Sequence, residues 1–292
     1  MQSHQDASNH TNKKNLIIAM IIIGSWMFIQ LIGGLWTGSL ALLADAVHML
    51  NDFANLGISL IALIIARKAA SKHRTFGNYR YEILSSVLNS LALLVISFFI
   101  LKEAIARITD PQPVLGGYMI IIAFIGLIAN LAAIYVLVKS DVKGNLNMRG
   151  AYLHVLSDTL GSVVAVGAGI IILLTGWYLA DPILSILIAI LILISAIRLL
   201  KDTLHVLMEA VPREINIDEV KLRLKDFNEV IDVDNLHIWS LTSGINGMNV
   251  QLFVSKQVTI YKQINLKQEV RQYVRENLNV TFLTIEIEFV DL

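Results

Sequence analysis

The sequence contains no cysteine, and it is poor in charge, since only 16 % of its 292 residues are Asp, Glu, Lys or Arg. Without cysteine there is no disulfide and no thiolate, so a bound metal would be held by His, Asp, Glu or backbone oxygen. There is no GxxxxGK[ST] motif and no HExxH motif, so nothing indicates an ATP-driven pump or a zinc protease. We expect no enzyme activity, no cofactor and, because the formal net charge is zero, no nucleic-acid partner.

Hydrophobic residues make up 55 % of the chain, which is more than soluble domains contain. They are concentrated in long runs, and a helix that crosses a bilayer needs about 20 mostly apolar residues. Six runs approach or exceed this length: Leu16–Trp36, Ala41–Ala66, Ile83–Leu101, Val114–Val138, Ala151–Leu174 and Pro182–Ile197. The sequence therefore predicts an α-helical membrane protein whose six transmembrane helices lie within residues 15–205.

Lysine and arginine are concentrated before the first run, between the second and third, and between the fourth and fifth. The positive-inside rule assigns these segments to the cytoplasm. Both termini are then cytoplasmic, and we expect a multi-pass protein of a bacterial cell membrane, with the lipid bilayer as its surroundings. Residues 1–14 are polar, and we expect them to form a disordered tail.

The chain changes character near Val206, where charge rises and the apolar runs become short. The pattern predicts one helix, two strands, a second helix and a third strand, at Ile217–Phe227, Val230–Leu241, Gly247–Val254, Tyr261–Asn277 and Thr281–Val290. The last of these alternates polar and apolar residues with a period of two, as a half-buried strand does. Residues 206–292 are thus expected to form a small cytoplasmic α+β domain.

Two apolar runs carry the same H-x-x-x-D motif, as His48 with Asp52 and as His154 with Asp158. Residues four apart lie on one face of a helix, so each run presents an imidazole beside a carboxylate. A charged group at the centre of a spanning helix costs roughly 2.5 to 3.5 kcal/mol on insertion scales. Such residues within lipid are therefore expected to have a function, and two opposed pairs predict a tetrahedral metal site with two His and two Asp ligands.

Zinc suits this ligand set, because it accepts imidazole and carboxylate in tetrahedral geometry, whereas magnesium and calcium prefer six or more oxygens. Cobalt and cadmium fit similar ligands, so the ligand types leave these ions open. Metal binding requires neutral His and ionised Asp, so protons compete with the metal for the same atoms. Our hypothesis is a metal/proton antiporter that moves zinc out of the cytoplasm.

Two other functions remain open at this point. His and Asp in a membrane could instead form a proton relay without metal, and a membrane metal sensor could signal through the soluble domain. Asp45 lies on the same helical face as His48 and has two equal interpretations: a partner or gate beside the metal site, or a residue near the outer water. Asn89 and Asn130 are expected to form hydrogen bonds between helices.

The sequence resembles the zinc-type branch of the cation diffusion facilitator family over nearly its whole length. The similarity is carried by SLALLADAVH at Ser39–His48 continuing to Asp52, TFGNYRYEIL at Thr75–Leu84, HVLSD at His154–Asp158, DP at Asp181–Pro182 and LHIW at Leu236–Trp239. The resemblance implies a homodimer, alternating access around the four predicted ligands, and a ferredoxin-like cytoplasmic domain shaped like a metallochaperone. Manganese-type members usually have Asp where this chain has His, which favours zinc.

The cytoplasmic domain departs from the family pattern. Well-studied members assemble a two-metal cluster there, but this chain keeps only His237, with Gln251, Phe282 and Thr284 at the positions that would supply partners. We interpret His237 as the remnant of such a site. By the same resemblance, Arg80 and Glu209 would form an interlocking charge pair at the dimer interface; the alternative is two solvated surface charges.

Overall fold

A computed structural model describes residues 21, 24–66, 72, 74–138, 146–242 and 244–291. The side chains of residues 52, 55–56, 58–66, 136–138, 146–155 and 157 are not among those described. The predicted tail at residues 1–14 and the first five residues of the first apolar run lie outside the described residues. Contacts divide the chain into two compact units, one formed by the chain up to Leu60 with Leu88–Arg198, the other by Ile61–Val87 with Leu199–Leu292.

Six long helices account for the apolar runs within the described residues. They are α1 at 24–37, α2 at Leu40–Ala66, α3 at Arg80–Thr109, α4 at Gly116–Val138, α5 at Leu146–Thr175 and α6 at Ala180–Leu207. Two of the turns contain a glycine with positive φ: Gly38, between α1 and α2, has a φ of 72°, and Gly176, after α5, has a φ of 66°. Glycine adopts this left-handed conformation without steric cost.

Four helical segments are long and apolar enough to cross a membrane, counted over the described residues alone: Arg80–Thr109, Gly116–Tyr135, Asp158–Thr175 and Ala180–Leu207. A shorter apolar segment, Leu40–Asn51, belongs to α2. Large apolar side chains such as Leu88, Phe98 and Leu174 are exposed, as expected where lipid replaces water. The predicted class, an α-helical membrane protein, is confirmed, and α3 and α6 extend beyond the apolar runs that predicted them.

Helix α2 contributes to all three buried clusters found in the described parts of α1 to α6. Near its start, Ala41 and Leu42 pack with residues of α4, α5 and α6. Farther along, Ala44 and Val47 pack against α3 and α6, and Met49 packs against α1 and α4. The part of α2 that carries Asp45 and His48 is therefore packed against other helices, where a charged side chain that leaves water needs a protein partner.

Glycine allows α4 and α5 to approach each other closely. A Cβ atom added at Gly116 would lie 3.3 Å from the carbonyl oxygen of Gly169, and one added at Gly169 would lie 3.4 Å from the carbonyl oxygen of Gly116. Small residues at such crossings are typical of helices packed in lipid.

The second unit contains the C-terminal domain. Its elements are α7 at Ile217–Lys225, β1 at Val230–Thr242, β2 at Ile245–Ser255, α8 at Ile260–Leu278 and β3 at Val280–Val290. The strand order is β1-β2-β3, with β1 antiparallel and β3 parallel to β2. The predicted order of helices and strands is confirmed, and the small α+β domain with it.

One face of the sheet packs on the two helices of this domain. Its core contains Leu224 of α7, Val270 of α8 and Leu252 of β2, which are all fully buried. On β3, Ile285 and Ile287 pack against this core while Glu286 and Glu288 are exposed, as the period of two requires. The helix α7 begins at an Asn216 side chain that accepts from the N–H groups of Asp218 and Glu219, a typical N-cap.

Candidate metal site in the membrane domain

One predicted ligand from each of two helices is found in contact. His48 Nε2, on α2, lies 3.5 Å from Asp158 Oδ1, on α5. The Asp158 side chain is only 4 % exposed, and that of His48 is 31 % exposed. A carboxylate taken out of water requires a cationic or hydrogen-bonding partner, and a divalent ion between these two atoms would satisfy both side chains.

The other two predicted ligands cannot be placed by their side chains. Asp52 and His154 both lie within helices α2 and α5, but their side chains are outside the described ones. Each is four residues from a ligand of the contacting pair, so each belongs to the same helical face. Among the described side chains, no group of three or more His, Asp or Glu could hold a metal ion, and the four-ligand site therefore stays a prediction.

Asp45 is in the protein interior, with 7 % of its surface exposed. Gln30 of α1, itself 3 % exposed, donates from Nε2 to Asp45 Oδ2 at 2.5 Å. The sequence interpretation did not identify Gln30. Gln30 could have been identified because it is the one amide side chain in the first apolar run. A polar group in such a run needs a partner inside the protein.

Two amide side chains link helices next to the predicted ligands, and the prediction for Asn89 and Asn130 is confirmed. Asn89 Nδ2 of α3 donates to Asn51 Oδ1 of α2 at 2.8 Å, immediately before Asp52 in the chain. Asn130 Nδ2 of α4 donates to Ser162 Oγ of α5 at 3.2 Å, one turn beyond Asp158. Hydrogen bonds of this kind fix the rotation of one helix relative to another.

The N-terminal end of α2 is held by the first turn of α6. Asp181 is fully buried, and it accepts from the N–H groups of Leu40 at 2.8 Å and Ala41 at 3.2 Å. Its Oδ1 atom also accepts from Ser39 Oγ at 2.5 Å. A carboxylate at this point satisfies the unpaired N–H groups of the first helical turn and complements the helix dipole.

The second unit contains the predicted charge pair and His237. Arg80 Nη2 lies 2.6 Å from Glu209 Oε1, with both side chains largely exposed, so the two charges are paired within one chain. His237 is exposed on β1 and is in register with Asn249 of β2, which is in register with Thr284 of β3. The side chains of His237, Asn249 and Thr284 line an open cavity of about 1150 Å³. Asn249 and Thr284 are neither imidazoles nor carboxylates, so these two register partners offer His237 no second ligand of either type.

Comparison with known proteins places this chain in a family. Residues 16–208 match the cation efflux transmembrane domain, and residues 212–290 match the cytoplasmic domain of cation efflux proteins, the ZT_dimer family. The chain is 43 % identical over 278 residues to the "Cadmium, cobalt and zinc/H(+)-K(+) antiporter" of Bacillus subtilis strain 168, a match that covers 95 % of this chain and 89 % of the relative.

Two further relatives cover similar lengths. Identity is 39 % over 293 residues to "Zinc transporter ZitB" of Escherichia coli K12, across 98 % of this chain and 92 % of the relative. It is 38 % over 277 residues to "Metal cation efflux system protein CzcD" of Cupriavidus metallidurans, across 95 % and 87 %. This chain therefore belongs to the cation diffusion facilitator family, as a multi-pass membrane transporter for metal cation efflux and not an enzyme.

Proposed function

We propose that this protein exports Zn²⁺ from the cytoplasm in exchange for protons, using His48, Asp52, His154 and Asp158 as the four ligands of a tetrahedral membrane site. The observation that carries the proposal is the 3.5 Å contact between His48 Nε2 and Asp158 Oδ1. It joins the two H-x-x-x-D motifs across α2 and α5. Asp52 and His154 are each one helical turn from a residue of this contact and lie on the same helical faces, so they are the expected remaining ligands.

The ligand chemistry favours zinc over harder ions. Two imidazoles with two carboxylates match the preferences of Zn²⁺, and Co²⁺ and Cd²⁺ are also expected as cargo because they accept the same ligands. The relatives support this cargo, since the Bacillus subtilis protein is named for cadmium, cobalt and zinc and the Escherichia coli protein for zinc. The metal is the transported substrate here, and no resident cofactor is proposed.

Proton exchange follows from the ligands themselves. His with an ordinary pKa of about 6.5 must lose its proton before it can bind metal, so protonation from outside releases the ion and metal binding from the cytoplasm expels protons. The name of the Bacillus subtilis relative includes both H⁺ and K⁺. Potassium is therefore a second counter-ion to compare with protons in the transport assay.

We propose that the ion is exposed alternately to the two sides of the membrane while the ligands on α2 and α5 stay together. A proton gradient directed into the cytoplasm would drive this exchange in the direction of metal efflux. The C-terminal domain would hold a homodimer, with the Arg80–Glu209 pair at the dimer interface and His237 as the remnant of a metal site. The match of residues 212–290 to the ZT_dimer family supports the dimer.

Zinc uptake into proteoliposomes with an imposed pH gradient tests this function. The intact protein is compared with Asp158→Asn, and with Asp110→Asn as a matched control because Asp110 is exposed between α3 and α4. We expect gradient-dependent zinc uptake and counterflow of protons by the intact protein and by the control, and neither with Asp158→Asn. Proton flux without metal would indicate a relay instead, zinc binding without flux would indicate a sensor, and uptake by Asp158→Asn would refute the site.

A further inference from the structure

A second polar layer lies one turn along α2 from the His48–Asp158 contact. Asp45 precedes His48 by three residues and is displaced toward the N-terminal end of α2, whereas Gly161 follows Asp158 by three residues and is displaced toward the C-terminal end of α5. The two helices run in opposite directions in the predicted topology, so both displacements are toward the same side of the membrane. The two residues are close in space, because a Cβ atom added at Gly161 would lie 3.8 Å from Asp45 Oδ1. By the predicted topology, this displacement is toward the outside of the membrane.

Gln30 fixes the orientation of the Asp45 carboxylate within this layer. The Gln30 amide donates to Oδ2 at 2.5 Å, and both side chains are buried. With Oδ2 held toward α1, the other oxygen, Oδ1, is the one near Gly161 on α5. The Gln30 amide is neutral, so this hydrogen bond orients the carboxylate without adding a charge of its own.

Gly161 leaves room beside that oxygen. In the described part of the chain, Asp45 Oδ1 is the only atom outside the local backbone of α5 within 4 Å of the Cβ position at Gly161. At two other glycines in these helices a neighbouring side chain occupies the corresponding space: the Cβ position at Gly126 would be 2.6 Å from Trp26 Nε1, and that at Gly33 would be 2.6 Å from Ile122 Cδ1. The space at Gly161 is thus unlike the close helix crossings.

We propose that Asp45, Gln30 and the space at Gly161 form the first step of the ion's outward path, a step that rests on the proposed function of His48 and Asp158. Asp45 Oδ1 is a transient oxygen ligand for the departing divalent ion, and Gln30 is the residue that positions it. One carboxylate without imidazole holds zinc more weakly than the four-ligand site does. A weak site beside a strong one lets the ion leave, as stepwise conduction requires.

The expected signature is a loss of rate without a loss of binding. Asp45→Asn removes the charge, and Gln30→Met removes the donor at similar volume. In each variant we expect the maximal zinc transport rate to fall by about tenfold, as for the loss of one interaction with a charged group. The equilibrium dissociation constant for zinc should stay within about threefold of the intact value, since the four ligands of the main site are unchanged.

Glycine variants on α5 give a matched pair that leaves the polar groups intact. Gly161→Ala places a methyl group into the space beside Asp45 and should also slow transport, with binding retained. Gly167→Ala, six residues farther along the same helix and with no described atom within 4 Å of its Cβ position, should transport at the intact rate. If the exchange of any glycine for alanine in α5 slowed transport, both Gly161→Ala and Gly167→Ala would be slow.

The experiment measures zinc binding to the purified full chain by titration calorimetry and zinc transport in proteoliposomes, with Asp158→Asn as reference. Slow transport with intact binding in Asp45→Asn, Gln30→Met and Gly161→Ala supports the outward step. Intact rates in these variants, or rates that fall only together with zinc affinity, overturn it, as does equal slowing by Gly167→Ala. If Asp158→Asn still binds zinc, the main site is wrong, and the outward step is wrong with it. If Asp158→Asn loses zinc binding while Asp45→Asn and Gln30→Met transport zinc at the intact rate, only the outward step is wrong.

Discussion

His48 on α2 and Asp158 on α5 bring their side chains within 3.5 Å, Nε2 to Oδ1, although they are 110 residues apart in the chain. An imidazole and a carboxylate in this arrangement can each take up a proton, and together they can bind one metal ion. The same two atoms therefore carry both halves of the proposed exchange. In the proposed site, the ligand types of these two residues would select the ion, and their protonation would make its binding depend on pH.

Replacing the imidazole tests the selection of the ion. His48→Asp keeps an anionic ligand at the site but removes a nitrogen that zinc prefers, so we expect zinc affinity to fall by at least about tenfold relative to manganese. Competition of Mn²⁺ against Zn²⁺ uptake in proteoliposomes measures the change. An unaltered ratio of the two ions would show that His48 does not coordinate the cargo.

Acid should weaken zinc binding in the intact protein. Below the ordinary His pKa of about 6.5, each ligand that must release a proton lowers the apparent affinity about tenfold per pH unit. With two histidines in the site, we expect a steeper loss between pH 6.5 and 5.5 than between pH 8 and 7. Calorimetric titrations in buffers of different ionisation enthalpy give both the affinity and the number of protons released. A flat profile would contradict the exchange of protons for metal.

The Asp181 carboxylate should stabilise the N-terminal end of α2. It accepts from Ser39 Oγ and from the N–H groups of Leu40 and Ala41, so Asp181→Asn exchanges one acceptor oxygen for an amide group that these donors do not match. We expect the free energy of unfolding to fall by about 1 to 3 kcal/mol. Thermal unfolding in detergent measures the loss, and Asp110→Asn, at an exposed turn, should unfold like the intact protein.

The amide contact between α2 and α3 should contribute a small coupling energy. Asn89 Nδ2 donates to Asn51 Oδ1 at 2.8 Å, and interhelical hydrogen bonds in membranes average about 0.6 kcal/mol in double-mutant cycles. We expect Asn51→Leu, Asn89→Leu and the double variant to give a coupling near this value. Because Asn51 precedes Asp52, zinc affinity is measured in the same variants. Strict additivity would mean that the contact makes no contribution to stability.

In the cytoplasmic domain, Lys225 controls the charge state of an exposed acid. The Lys225 ammonium group, with Nζ 2.7 Å from Asp232 Oδ1, and the Val233 N–H hold the pKa of Asp232 below its ordinary 3.8. A lowered pKa stabilises the folded state above pH 3.8, and this contribution is lost as the pH falls through the folded value. Lys225→Met should raise the pKa of Asp232 toward 3.8, as carboxyl carbon shifts would show. An unchanged pKa would assign the shift to the Val233 N–H and the Lys221 charge instead.

Much of the architecture could be predicted because it depends on local pattern. The period-two alternation in Thr281–Val290 predicted β3 at Val280–Val290, and the apolar run Val114–Val138 predicted α4 at Gly116–Val138. The helix ends were less predictable, since Arg80–Thr109 and Ala180–Leu207 continue into polar residues that periodicity does not separate from the flanking segments. For the candidate site, spacing identified His48 and Asp158 but not the amide that holds Asp45.

The sequence by itself determined which residues could carry the chemistry, because a repeated i, i+4 pair of His and Asp within apolar runs has a fixed placement on any helix. It also determined the class of each element, since hydrophobic period and run length depend only on neighbouring residues. The tertiary structure alone decided which side chains meet: Gln30 with Asp45, Asp181 with the start of α2, and His48 with Asp158. Helix rotation and register follow from the packing of all six helices together, and no local pattern contains that information.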